Sequence, residues 1–191
     1  MQADSAEPET AHTDDDGGPP RSLVIAAVVL TVAAIAVVFA VAGSRRIPSA
    51  PVAIAAVPAP QARSPECQAL LATLPDRLGV YSRADTAQPT PAGTAAWHGS
   101  DETGGETVVL RCGLERPAEF VVGSPIQMVN QVQWFRLEDP QSPVATWLCV
   151  DRPVYVALTL PTGSGPTPIQ AMSDVIDRSM PAIPIRPAPA R

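Results

Sequence analysis

Polar and apolar positions divide this chain into regimes that differ in period. Residues 1–22 carry few apolar side chains and end in Gly17, Gly18, Pro19 and Pro20. Such a stretch cannot bury enough surface to offset its ordering entropy, so it reads as a disordered acidic tail. From Leu23 to Ala42 run twenty residues without a charge, with Thr31 the one polar side chain. At about 1.5 Å per residue the run spans roughly 30 Å, the hydrocarbon thickness of a bilayer. A buried helix of a soluble protein would show a polar face, and this run has none. It predicts a single-pass transmembrane helix. A cleaved signal peptide is the alternative, because Ala40, Val41 and Ala42 form a small-x-small site before Gly43. The length of the apolar run and the acidic region before it favour an uncleaved signal anchor.

Beyond the anchor, residues 43–63 show neither helical nor strand period and are broken by Pro48, Pro51, Pro58 and Pro60. Proline at this density favours extended polyproline geometry of about 3.1 Å per residue, which predicts a stalk holding a domain as much as roughly 55 Å from the membrane. Period returns at Ser64, which caps a helix started by Pro65 and Glu66. Cys67, Leu70, Leu71 and Leu74 fall on one face of it and Pro75 closes it. Strand-forming segments follow at Glu106–Cys112, Ile126–Val129, Val132–Leu137, Ala145–Val150 and Val154–Leu160. Asn130 marks a tight hairpin turn, since Asn tolerates the positive φ that primed turns require. Phe120 to Val122 is a further short candidate. After the loop PTGSGP, Thr167 caps a second helix started by Pro168, with Ile169, Met172, Val175, Ile176 and Met180 on one stripe. Helix, antiparallel strands, then helix make an α+β domain over residues 64–184, with helices on one sheet face. The proline-rich segment 185–191 is expected to fray.

Composition removes several chemistries. The chain of 191 residues has no lysine among its 13 basic residues, so Schiff-base chemistry, a P-loop and a kinase site have no ammonium to use. His12 and His98 are its two histidines, too few for a multi-histidine metal centre, and no cofactor is implied. Of the net charge of −6, residues 1–22 supply most, with six acids against Arg21. The near-neutral remainder carries no basic cluster, which argues against a nucleic-acid partner. Arg45 and Arg46 against Arg21 tilt the positive-inside rule toward a cytoplasmic domain. Cysteine usage points the other way.

Three cysteines in one small domain suggest a disulfide in an oxidising compartment and one spare thiol. Cys67 with Cys112 is the preferred pairing because it staples the first helix to a strand, closing a loop worth on the order of 4 kcal/mol on the loop-closure model. Cys112 with Cys149 is the second choice. Cys149, between Leu148 and Val150, reads as a buried core thiol. Arg111 and Arg152 lie in or beside strands, where guanidinium forks suit an anionic ligand or an ion pair with Asp151 or Glu115. Trp97 and Trp134 are candidate ligand platforms, although tryptophans in a domain this poor in aromatics, Trp147 included, serve more often as core anchors. His98 lies in a polar loop with no nucleophile beside it. Asp101, Glu102 and Glu106 lack a calcium-loop spacing.

Several of these residues together resemble the actinobacterial domain-of-unknown-function family 3515. They are Cys67 before Leu74-Pro75, Ala96-Trp97, Leu110-Arg111-Cys112-Gly113, Val132-Gln133-Trp134, Asp151-Arg152 with Val154-Tyr155-Val156, and Leu160-Pro161. The resemblance runs from Cys67 to about Met180 and implies a single-pass or signal-bearing envelope protein with no assigned activity. His98 and the polar loop from Gly99 to Glu106 depart from the family's shorter connection.

The expectation is a plasma-membrane protein, anchored through residues 23–42, whose extracytoplasmic domain binds another envelope protein or a wall component. A small envelope enzyme using Arg111, Arg152 and a carboxylate is the alternative from a different class. A secreted form released by signal-peptide cleavage is a third. A deep pocket converging on both arginines favours the enzyme, and its absence favours the binding module.

Overall fold

The computed structural model describes residues 21–44, 50–100, 105–138 and 140–190. The chain forms two compact units, Met1–Pro48 and Ser49–Arg191. Most of the acidic tail, residues 1–20, lies outside the described residues. In the first unit, α1 (Arg21–Ser44) extends the expected helix by two residues at each end. Its window Ser22–Phe39 has a mean hydropathy of 2.9 with none of it buried. That is long and apolar enough to cross a membrane, by the same length and composition that a signal sequence meets. Thr31 donates its hydroxyl to Ala27 O at 2.7 Å, so the one polar side chain of the run is satisfied within the helix.

The second unit is built on one antiparallel sheet. Its strands are β1 (Arg77–Leu78), β2 (Tyr81–Ala84), β3 (Thr94–His98), β4 (Thr107–Leu114), β5 (Ile126–Val129), β6 (Val132–Glu138), β7 (Val144–Cys149) and β8 (Tyr155–Pro161). They lie in the order β1-β2-β3-β4-β8-β7-β6-β5. After β4 the chain crosses to the far edge, then β5 to β8 return by hairpins until β8 pairs with β4. Asn130 takes φ 52° at the β5–β6 turn, as its side chain permits. The three strands β1 to β3 were not expected, because they are short and mix Arg, Ser, Thr and Ala with few strand formers.

Helices α2 (Pro65–Ala72) and α3 (Thr167–Ser179) cover one face. Beneath them Leu70, Leu78, Trp97, Leu110, Trp134, Leu158, Met172 and Ile176 form the main core. Ser64 Oγ accepts from Cys67 N at 3.3 Å, which is the expected cap. Cys67 and Cys112 form the preferred disulfide, with Cα atoms 5.7 Å apart, and Cys149 stays free and buried. The start of α3 differs from expectation: Pro166 holds the cap position with no side-chain hydrogen bond, and Thr167 is the first helical residue. The Thr167 side chain packs toward Gly79 instead.

Irregular chain covers the opposite face, and here the stalk expectation fails. Val52 bridges Thr86, with Val52 N donating to Asp85 O at 2.8 Å and Ala87 N to Val52 O at 2.9 Å. Val52 and Ile54 bury against Ala96, Ala84 and Val109. Further on, Gln61 N donates to Gly113 O at 3.0 Å. The valine and isoleucine between the prolines meet an apolar half-sheet, so residues 50–63 form a strap on the domain rather than a spacer. The far end of the chain behaves likewise. Ala188 bridges Val121, and Ile185 packs with Phe120, Phe135 and Leu148, so the segment expected to fray is held as far as Ala188. Phe120 to Val122 contributes that single bridge and no strand.

Candidate functional site

The turn after β7 gathers the most concentrated charge among the described residues. Arg152, 3% exposed, donates from Nη1 to Asp151 O and from Nη2 to Gln131 O and Asp177 Oδ1, at 3.1, 3.0 and 2.9 Å. Its Nη1 also lies 2.9 Å from Asp151 Oδ2, which accepts from Gln133 N at 3.0 Å. The guanidinium thereby ties the β7–β8 turn, the β5–β6 hairpin and the last turns of α3 together. With those contacts filled and both residues buried, Arg152 is an internal fastening and presents no fork to a ligand.

The other residues singled out from sequence do not converge on it. Trp97 is fully buried and donates Nε1–H to Pro75 O at 3.0 Å, with Arg83 stacked 5.0 Å from its ring. Trp134 is equally buried and donates to Ser173 Oγ at 2.9 Å. Neither indole is a ligand platform. Leu110 and Cys112 point into the helix-side core, so strand alternation puts Arg111 on the opposite face. Arg111 and Arg152 therefore share no pocket. His98 Nε2 lies 2.9 Å from Ala50 O; a carbonyl only accepts, so Nε2 carries the proton and Nδ1 accepts from Thr107 at 3.5 Å. That histidine fastens the strap. Burial first, then the charge of Asp151, push the Cys149 thiol up, away from the thiolate that reactivity needs. Asp101 and Glu102 lie outside the described residues.

A cleft of about 560 Å³ opens where α3 is too short to cover the helix side of β5, β6 and β7. Its floor is a cross-strand pair, Arg136 and Trp147, in register between β6 and β7. The guanidinium carbon stands 5.0 Å from the centre of the indole ring, and both side chains are half-buried. Gln127 and Gln170 add planar amides, and the loop Thr162–Gly165 forms the wall beside β8. Among the described residues the lining holds no Asp, Glu, His or Cys, and Arg136 is its one charged group. Sequence reading missed this site: Trp147 looked like a core anchor, and nothing local to Arg136 announced a stacked partner eleven residues away.

No curated protein and no solved structure matches this chain. A family model for a protein of unknown function, DUF3515, matches residues 24–185, from the apolar helix to the C-terminal segment. The match covers most of the chain, including every element of the sheet and both helices of the domain, and the chain belongs to the DUF3515 family.

Proposed function

We propose that this protein is a single-pass, membrane-anchored binding module of the cell envelope, with its domain on the extracytoplasmic side and its ligand received in the cleft beside α3. The stacked Arg136–Trp147 pair carries the reading. A guanidinium laid on an indole loses side-chain freedom and stands as a planar cation at the cleft floor, the charge and shape that draw a planar carboxylate on a small molecule or partner peptide. The cleft volume lies within the range of ordinary ligand sites. A lining without acid, imidazole or thiol supports binding over reaction. The disulfide and the buried state of the third cysteine support an oxidising location.

Short acetylated peptides ending in a free carboxylate, titrated against their amidated counterparts, test the cleft. The free acids are expected to change tryptophan fluorescence saturably and the amides not, with Arg136→Gln abolishing the response. Equal responses, or none, would overturn the assignment. For the side of the membrane, a Glu119→Cys variant places one exposed thiol on the domain. An impermeant maleimide should label it in intact cells; labelling only after lysis would put the domain in the cytoplasm.

A further inference from the structure

We infer that the free edge of β5 takes the C-terminal segment of a partner protein as an added strand whose terminal carboxylate enters the cleft at Arg136, an inference that rests on the carboxylate reading of that cleft. β5 is the outermost strand on its side of the sheet, with β6 as its one neighbour. The strand it faces fixes its hydrogen-bonding direction. Gln133, the partner of Met128, turns both backbone groups away from β5: its N–H goes to the Asp151 carboxylate and its oxygen accepts from Val150 N. Met128 therefore belongs to a pair not bonded across β5 and β6, and its own N–H and C=O point outward from the edge of the sheet. Alternation gives Ile126 the same outward groups. Among the described residues no hydrogen bond reaches the outward backbone groups of either one.

The two edges of the sheet are unlike. β1, at the far edge, is two residues long and carries Arg77, features that discourage strand addition. β5 spans four residues in unbroken register, without charge or proline, and Met128 is 63% exposed. None of the usual devices for refusing a further strand lies within it.

Position chooses the occupant. Gln127, Met128 and Val129 line the cleft and also form the edge, so a chain paired with β5 runs along the rim of the cleft. Arg136 follows Phe135, the partner of Ile126, and so stands level with the start of β5. An antiparallel added strand ends at that level. Two strand spacings of about 4.8 Å separate it from β6, a gap that three residues at about 3.3 Å each can cross. A ligand with amides at strand spacing and a carboxylate at the end of the run is the C-terminus of a polypeptide, whereas a small carboxylic acid supplies only the second. Ile126 packs into the cluster opposite the helices, and Met128 shares its face, so the partner residues beside them should be β-branched or aromatic.

The test uses the full chain in detergent micelles and acetylated hexapeptides of alternating threonine and valine, ending in a free carboxylate, with tryptophan fluorescence as the readout. Two further forms carry N-methyl groups on alternate amides, one set for each edge of the peptide. One set should weaken binding about tenfold or more and the other leave it within about twofold, because the anchored carboxylate fixes which edge faces β5. If both sets bind like the parent, strand addition is overturned, while the carboxylate reading stands as long as the free acid outbinds the amide. If acid and amide bind alike, that reading falls and the inference with it. Absence of binding by the parent hexapeptide would overturn the inference, and N-acetylvaline then tests the cleft reading by itself. A dimer of the chain that the hexapeptide fails to dissociate would assign the edge to a second copy and overturn it as well.

Discussion

Replacing Arg152 with glutamine would leave the Asp151 carboxylate buried without its cation and free the backbone oxygens of Asp151 and Gln131. Removing one member of a buried pair costs about 3–5 kcal/mol, because the remaining charge keeps its desolvation penalty and loses its compensation. Urea unfolding should show a loss of that size for Arg152→Gln. Asp177→Asn should cost about 1 kcal/mol or less, since that carboxylate is 45% exposed and screened. Comparable losses from both would contradict the burial argument. Cys149 adds a pH dependence at the same scale. Its thiol is raised by burial, so the native chain keeps the proton after the unfolded chain has released it, near about pH 8.5. The stabilisation is complete below that pH and declines as pH rises past it. Stability measured between about pH 8 and pH 10 should fall more steeply in wild type than in Cys149→Ala.

Among elements, the second half of the strap sits against a glycine. Gly113 has φ +86° at the bulge of β4, and a Cβ there would collide with the backbone of Gln61 and Ala62. Two effects combine in Gly113→Ala: a left-handed backbone that alanine resists, and loss of the seat for the strap's second half. The expected result is a stability loss on the order of 2 kcal/mol or more together with new proteolytic cleavage near Arg63. Unchanged protection of that segment would show that the strap is held elsewhere. The disulfide works beside this seat, since Cys112 precedes Gly113 and ties the central strand to α2.

At the scale of the molecule, the sheet is covered differently on its two sides. Helices seal one face but stop short of the β5 edge, which leaves the cleft over Arg136 and Trp147. On the other face, two proline-rich segments from opposite ends of the domain lie over separate halves, one on Ala96 and Val109 and one on Phe135 and Leu148. Arg111 is on the strand between them.

Local periodicity was enough to read the apolar helix, both domain helices and strands β4 to β8, because each carries a stripe or alternation long enough to have one low-energy arrangement. It also supported the Cys67–Cys112 pairing and the core role of Cys149. Strands β1 to β3, the strap and the ordered C-terminal segment were not legible, since their residues acquire structure from the sheet they touch and not from neighbours in sequence. The same reason explains the site. Whether an arginine becomes an internal fastening like Arg152, an unpaired charge like Arg111 or a stacked fork like Arg136 depends on which distant backbone or side chain the fold delivers to it. Residue type and spacing specify what each group is able to do, and packing across the sheet assigns which of those roles it takes.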